Sequence, residues 1–176
     1  MNNKGQVWIE TVIYTLIGLA IIGILLAFIK PKINSSIDRT NIEKNIETFN
    51  KIDSVVNEIR WVSGNSRPIT LNLKKGVMIV NSTGDELMIL IRESNYEYSE
   101  LGRTISIPGT RMTVNTEENN GISSVLITLG YDELNITYNG MEETHEVQES
   151  PTPYNMIISN NGDDGNGKTN IDIKVL

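Results

Sequence analysis

The pattern of hydrophobic and polar positions changes twice along the chain. Residues 11–29 form an uninterrupted apolar run with no charged side chain before Lys30. From residue 35 to residue 64, apolar positions recur mostly every three or four residues, which is the period of an amphipathic helix. After Gly64 the chain consists of short alternating or β-branched segments separated by turn residues. The pattern therefore predicts an α+β protein: a long N-terminal helical region followed by a β-rich head.

The apolar run has the length of a membrane span. At a helical rise of about 1.5 Å per residue, 19 residues cover roughly 28 Å, close to the thickness of the hydrocarbon core of a bilayer. The run is longer than the apolar core of a secretory signal peptide, and no small-residue cleavage site follows it. A plain anchor, a signal segment and a helix that leaves the membrane to pack against protein all remain open. The polar residues Glu10, Thr11, Tyr14 and Thr15 near its start favour the third interpretation.

Pro31 separates the apolar run from the amphipathic segment. Because proline lacks the backbone N–H and clashes with the preceding turn, the sequence predicts a kink or a locally unwound stretch here. A second helix is then expected to begin near Ser35, where Ser35 and Asp38 resemble an N-terminal cap, and to end before Gly64. Its apolar stripe packs on the β segments, with a coiled-coil partner as the minor alternative; the stripe comprises Ile37, Ile42, Ile46, Phe49, Ile52, Val56 and Ile59.

Nine segments after Gly64 have the character of strands. Pairs such as Asn120-Gly121 and Asn139-Gly140 mark the turns between them. So many short strands predict one antiparallel sheet or a sandwich, with the amphipathic helix packed on one face. The segments are residues 68–73, 77–80, 86–91, 103–107, 111–114, 124–129, 134–138, 155–159 and 170–176.

Composition narrows the classes of partner. The chain has 176 residues and a formal charge of -7, and it contains no cysteine. An acidic chain lacks the clustered Lys and Arg that bind phosphates, so no nucleic-acid partner is expected. Without cysteine, neither disulfides nor thiolate metal sites are available. Stability is therefore expected to come from a regular β core and from subunit packing.

The head offers little chemistry for catalysis. His145 is the only histidine, so neither a zinc site nor a serine nucleophile with its imidazole base has enough partners. The segment 160–170, NNGDDGNGKTN, holds oxygen ligands for calcium, but its spacing does not fit an EF-hand loop. A solvated histidine and a flexible hairpin loop are the expected structures. We expect no enzyme activity, no metal and no cofactor.

Three Asn-x-Ser/Thr motifs are candidate N-glycosylation sites. They begin at Asn34, Asn81 and Asn135. Such motifs occur by chance in a chain rich in Asn, Ser and Thr, yet surface glycans suit an extracellular protein without disulfides. Subunit packing is expected to hide Asn34, and a strand is expected to contain Asn135.

The first 34 residues resemble a type IV prepilin. The features that carry the resemblance are the short polar leader MNNKG, a Gly5-Gln6 junction, Glu10 at the fifth position counted from Gln6, and the apolar helix that follows. They are most similar to the archaeal class, whose motif after the junction is Gln-x-Ser-x-Glu. This chain has Trp8 in place of that serine.

The resemblance implies a processing step and an assembly role. A prepilin peptidase would cut after Gly5, so that residues 1–5 are the leader, residues 6–64 the helical region and residues 65–176 the head. Glu10 would then pair with the new amino group of Gln6 on an identical subunit. The protein would reside in the membrane as a precursor and later form an extracellular filament on the cell surface, as a structural protein.

Two alternatives use the same segments differently. One is a single-pass membrane protein whose β-rich domain binds a partner at the surface without polymerising. The other is a minor pilin or pseudopilin that primes assembly or serves adhesion. The cations Lys30, Lys32 and Arg39 after the apolar run favour a cytoplasmic C-terminal side, whereas the prepilin motif requires the opposite orientation.

Overall fold

The computed structural model describes residues 3–176, with side chains described from residue 8 onward. Met1 and Asn2 of the predicted leader lie outside the described residues, as do the side chains of Lys4 and Gln6. Two compact units divide the chain, one extending to Ile37 and the other Asp38–Leu176. The first unit consists of helix, and the second contains the rest of that helix together with all the strands. The predicted α+β class is confirmed.

One helix, α1 (Asn3–Ile59), replaces the two helices that the sequence predicts. It continues through Pro31, so the expectation of an unwound stretch is wrong. A proline removes a single intrahelical hydrogen bond, here the one to the carbonyl of Ala27, and the bonds on either side are enough to hold the helix. The predicted kink stays a prediction.

The predicted cap at Ser35 and Asp38 is also wrong. The helix passes through both positions, and Asp38 is buried with its carboxylate bound to the head. One oxygen accepts a hydrogen bond from Lys75 Nζ, and the other accepts bonds from the backbone and side-chain nitrogens of Asn95 at 2.8 Å. Asp38 therefore joins the start of the head part of the helix to two loops of the head.

The amphipathic stripe packs as predicted from Ile42 to Ile59. Ile42, Phe49 and Ile59 are fully buried, whereas Ile37, the first residue of the predicted stripe, is exposed. The helix ends at Ile59, earlier than predicted. Gly64 follows with a left-handed φ of 83° and donates a hydrogen bond to the carbonyl of Asn160 at 2.8 Å.

Ten strands follow the helix, and each of the nine predicted segments overlaps one of them. The strand that the sequence does not predict is β8. The bounds are β1 (Ser66–Leu71), β2 (Val77–Asn81), β3 (Glu86–Ser94), β4 (Thr104–Ser106), β5 (Met112–Asn119), β6 (Ile122–Gly130), β7 (Leu134–Tyr138), β8 (Thr144–Val147), β9 (Tyr154–Asp163) and β10 (Thr169–Val175). A short 3-10 turn, Ser82–Gly84, lies between β2 and β3.

The strands form two sheets with one shared core. The four-stranded sheet has the order β1-β9-β10-β7, and the six-stranded sheet has the order β4-β5-β6-β3-β2-β8. Neighbouring strands are antiparallel except β7 and β10, which run parallel with Ile136 opposite Ile171. Burial alternates along β6, whereas every residue of β7 is buried. Apolar side chains of the helix and of both sheets belong to a single buried cluster.

Candidate assembly site

The first candidate site is the apolar half of the helix. From residue 8 to residue 29 every position except Gly18 is exposed, including Phe28 at 73% and Tyr14 at 72%. Mean hydropathy reaches 2.8 over the most apolar 18-residue window, and none of that window is buried. By length and composition this helix is able to cross a membrane. A helix that is apolar on all sides is stable only in lipid or among other proteins.

Glu10 is the carboxylate of this segment, and no cation neutralises it from the described part of the segment. It lies exposed near the start of the described side chains, and the next cation along the helix is Lys30. Twenty residues of helix place Lys30 roughly 30 Å away along the axis. A carboxylate in an apolar environment requires a positive partner, and the described residues 8–29 contain none.

Small and hydroxyl residues follow Glu10 on the helix. The hydroxyl of Thr15 is turned inward and donates to the carbonyl of Thr11 at 2.8 Å, which satisfies it without water. At Gly18 and Gly23 an added Cβ would meet nothing within 4 Å. The fold of a single chain therefore does not require glycine at either position, although each glycine weakens the helix by roughly 1 kcal/mol relative to alanine.

The predicted processing junction lies within the helical backbone. Gly5 and Gln6 both belong to α1 (Asn3–Ile59), while the side chain of Gln6 lies outside the described residues. Glu10 follows Gln6 at a spacing of four residues, about one helical turn. The pairing predicted for Glu10 is with the amino group of another subunit, so a single chain does not test it.

The three predicted glycosylation sites lie in different environments. Asn34 is half-buried in the helix, and Asn135 lies in the buried strand β7 with only 9% of its surface exposed. Asn81 ends β2, half-buried, and its amide donates to Glu86 at 2.8 Å while accepting from the hydroxyl of Thr83. A glycan needs open space around the amide nitrogen, so Asn135 is the least suited of the three.

His145 and the segment 160–170, the two features of the head with potential metal ligands, make structural contacts within the head. His145 is exposed as predicted, but its ring stacks on Tyr138 with centroids 3.9 Å apart. The segment after residue 160 forms the predicted hairpin between β9 and β10. Its Asp164 accepts hydrogen bonds from the backbone of Asn166 and Lys168, and these lower the pKa of that carboxyl, with Asn166 the larger cause. Among the side chains of residues 8–176 no cluster of three metal-ligating groups occurs.

The sequence does not predict two polar clusters, because their members lie far apart in the chain. One is the set Asp38, Lys75 and Asn95 described above. Burial alone would raise the pKa of Asp38, but the hydrogen bonds from Lys75 and Asn95 outweigh it and hold that pKa below its usual value. The other surrounds Tyr131, whose buried hydroxyl has a raised pKa because it is desolvated and faces Asp53. Lys75 and Asn95 also line a cavity on the head.

Comparison with known proteins gives no match to any family model, curated protein or solved structure. The basis for a functional assignment is therefore the exposed apolar helix, its lone carboxylate and the likeness of the first 34 residues to prepilins.

Proposed function

We propose that the chain is a structural subunit of a type IV pilus-like filament of the archaeal class. The observation that carries the proposal is an apolar helical segment exposed on all sides with one carboxylate, Glu10, at its start. The remainder of the helix is held in a β-rich head that has its own core. We call residues 8–29 the rod. A subunit needs such a rod, together with a self-contained head, if the rods form the filament core and the heads its surface.

The rod serves two environments in succession. In the precursor it lies in the membrane, and after cleavage at Gly5 by a prepilin peptidase it packs among identical rods. Exchanging lipid for protein brings little hydrophobic gain, because lipid tails are as apolar as leucine. Close packing must supply the attraction, and the glycines at positions 18 and 23 allow another helix to approach.

Glu10 supplies the register between subunits. A carboxylate in a dry bundle costs several kcal/mol unless a cation meets it. The amino group that cleavage creates on Gln6 is such a cation, and it exists only in processed subunits. Assembly in a wrong register would leave both charges unpaired, so the pair selects one arrangement even if it adds little net stability.

The test combines the mature N-terminus with filament yield. Surface material is sheared from cells, viewed by electron microscopy and analysed by mass spectrometry. We expect filaments whose subunit begins at Gln6. Glu10→Ala should insert in the membrane and be cleaved normally, yet yield at least tenfold fewer filaments. The variant leaves the amino group of Gln6 unpaired in the bundle, and a cost of about 1.4 kcal/mol already corresponds to a factor of ten. Glu43→Ala, which removes an exposed glutamate from the head part of the helix, should yield filaments normally.

Three results would contradict the proposal or a part of it. A subunit that keeps residues 1–5 and remains a monomer in the membrane would favour the single-pass anchor, which the cations Lys30 and Lys32 after the span also suit. Normal filament yield from Glu10→Ala would remove the pairing role while leaving the filament intact. A protein found only in trace amounts within filaments would be a minor pilin.

A further inference from the structure

A cleft on the head gathers an excess of cations in a chain that is acidic as a whole. Two adjoining cavities, of about 190 and 650 Å³, share Asn41, Lys74 and Lys75 in their walls. We call this surface the cationic cleft; its cations are Lys44, Lys51, Lys74, Lys75 and Arg92. The chain as a whole carries a formal charge of -7, so the cleft differs in sign from most of the surface.

Three cations of the cleft are available to a partner. Lys75 is engaged with Asp38, and Lys51 pairs with Glu47 at 2.8 Å. The exposed side chains of Lys44, Lys74 and Arg92 form no ion pair within the described residues. The cleft also contains two further carboxylates: Glu149 accepts a hydrogen bond from the backbone of Gly76 at 2.8 Å, and Glu93 is exposed.

Acidic side chains gather at the end of the head opposite the cationic cleft. The hairpin between β9 and β10 carries Asp163 and Asp164, and its Lys168 binds Asp85 at 2.7 Å. The pKa of Lys168 is raised, first by that hydrogen bond and further by the charges of Asp164 and Asp132. We call the group Asp132, Asp163 and Asp164 the acidic tip; no ion pair engages it among residues 8–176.

The two surfaces are separated along the helix. Asn45 binds the carbonyl of Lys75 beside the cleft, whereas Asn160, at the base of the hairpin, binds the carbonyls of Ile59 and Arg60. Fourteen residues of helix between Asn45 and Ile59 correspond to roughly 21 Å. The tip of a head therefore does not reach its own cleft.

We propose that the cationic cleft of one subunit binds the acidic tip of a second copy, head to tail. This rests on the proposed filament function and specifies a contact within it. Because the two surfaces are different and lie at opposite ends of the head, the contact is heterologous. A heterologous contact that does not close into a ring repeats without limit and builds a filament. Charge complementarity across it also disfavours contacts between two clefts or two tips.

Cysteine pairs give a direct test, because the natural chain contains no cysteine. The full-length double variant Lys74→Cys with Asp163→Cys is treated with a short bis-maleimide cross-linker on cells and on sheared filaments. We expect a ladder of covalent multimers, since each subunit would be joined through its cleft to one neighbour and through its tip to another. Either single variant should give no ladder.

A matched control replaces Lys74 by Lys174, an exposed lysine on β10 outside the cleft. The pair Lys174→Cys with Asp163→Cys should give at least tenfold less multimer. A charge swap provides a second measurement: Lys74→Glu alone should weaken the filaments at a physiological ionic strength of about 0.15 M, where exposed charges are only partly screened, and adding Asp163→Lys should restore them.

The outcomes separate the contact from the filament. Filaments with equal ladders from both cysteine pairs, or with none, would overturn the contact and leave the filament function standing. Filaments indifferent to Lys74→Glu would also overturn it, as would an acidic polysaccharide found in the cleft instead. If the unmodified chain formed no filaments, the proposed function and the contact within it would both be overturned.

Discussion

Residues 8–29 and residues 42–59 belong to one helix, and both are rich in isoleucine, yet their apolar side chains have opposite surroundings. In the second stretch the isoleucines follow a helical period and pack against the core, fully buried except for the half-buried Ile46. In the first they occur on all sides and are exposed. The difference shows that the distribution of apolar residues around a helix, more than their number, decides whether its partner lies within the same chain.

The largest expected effect comes from the two phenylalanines. Phe49 is fully buried and Phe28 is 73% exposed. Phe49→Ala should reduce the free energy of unfolding of the head by about 3–5 kcal/mol, because it leaves a cavity. Phe28→Ala should leave the stability of the head unchanged. Chemical denaturation of the full chain in detergent, followed by tryptophan fluorescence, measures both; equal losses would show that the two stretches do not differ as described.

Removing Lys75 should have the next largest effect. Lys75→Met leaves the carboxylate of Asp38, which is 4% exposed, without its cation, and breaking such a buried pair costs about 3 kcal/mol. The loss should be smaller in Asp38→Asn with Lys75→Met, where no buried charge remains. The same denaturation assay measures both variants, and equal losses would mean that the charge of Asp38 is not what Lys75 balances.

Acid should weaken the contact of Asp38 with Lys75 and Asn95. Because the pKa of Asp38 is lower in the folded head than in the unfolded chain, its contribution is present above the unfolded value of about 3.9 and is lost as the pH falls through the folded value. We expect the protection of residues 39–43 against hydrogen exchange, corrected for the intrinsic pH dependence of the exchange rate, to fall on acidification in the natural chain. In Asp38→Asn, this corrected protection should already be reduced at neutral pH and should depend little on pH. A matching acid response in that variant would assign the effect to another group.

Gly18 provides the smallest and most selective prediction. Gly18→Leu meets no atom of its own chain and should strengthen the isolated helix by up to about 1 kcal/mol. The head should be unaffected, while filament yield should fall, because a neighbouring helix would no longer approach closely. Leu19→Ile changes shape but adds no volume and serves as the control. Normal filament yield from Gly18→Leu would place Gly18 away from any packing contact.

Strands can be predicted where alternating apolar residues indicate which side chains are buried. Strand β8 shows where this kind of prediction fails. In Thr144–Val147 only Val147 is buried, so this edge strand lacks the apolar alternation by which the other nine are recognised. Its pairing with β2 depends on backbone hydrogen bonds, which any sequence can form.

Asp38 and Pro31 show why local signals misplace helix boundaries. A serine followed three residues later by an acid, after a proline, matches the start of a helix. The partner that decides the role of Asp38 is Lys75, 37 positions further on, and a local pattern does not contain it. The cationic cleft was missed for the same reason, since Lys44 and Lys74 meet only in the folded head.

For the candidate assembly site, the sequence carries more information than the fold. Glu10, Gly5 and Gln6 came from a short motif, and the fold of one chain adds only that Glu10 lies on an exposed helix. Their predicted roles belong to events between molecules, so they depend on experiments with processed and assembled protein.

The position of β10 sets an order of events during biosynthesis. Thr169–Val175 lies between β7 and β9, so these two strands cannot join the same sheet until the polypeptide has been synthesised at least that far. The greasy N-terminal segment leaves the ribosome some 140 residues earlier. In the proposed precursor, insertion of the apolar segment can therefore precede closure of the head, and a head destined for the far side would then cross the bilayer as an open chain.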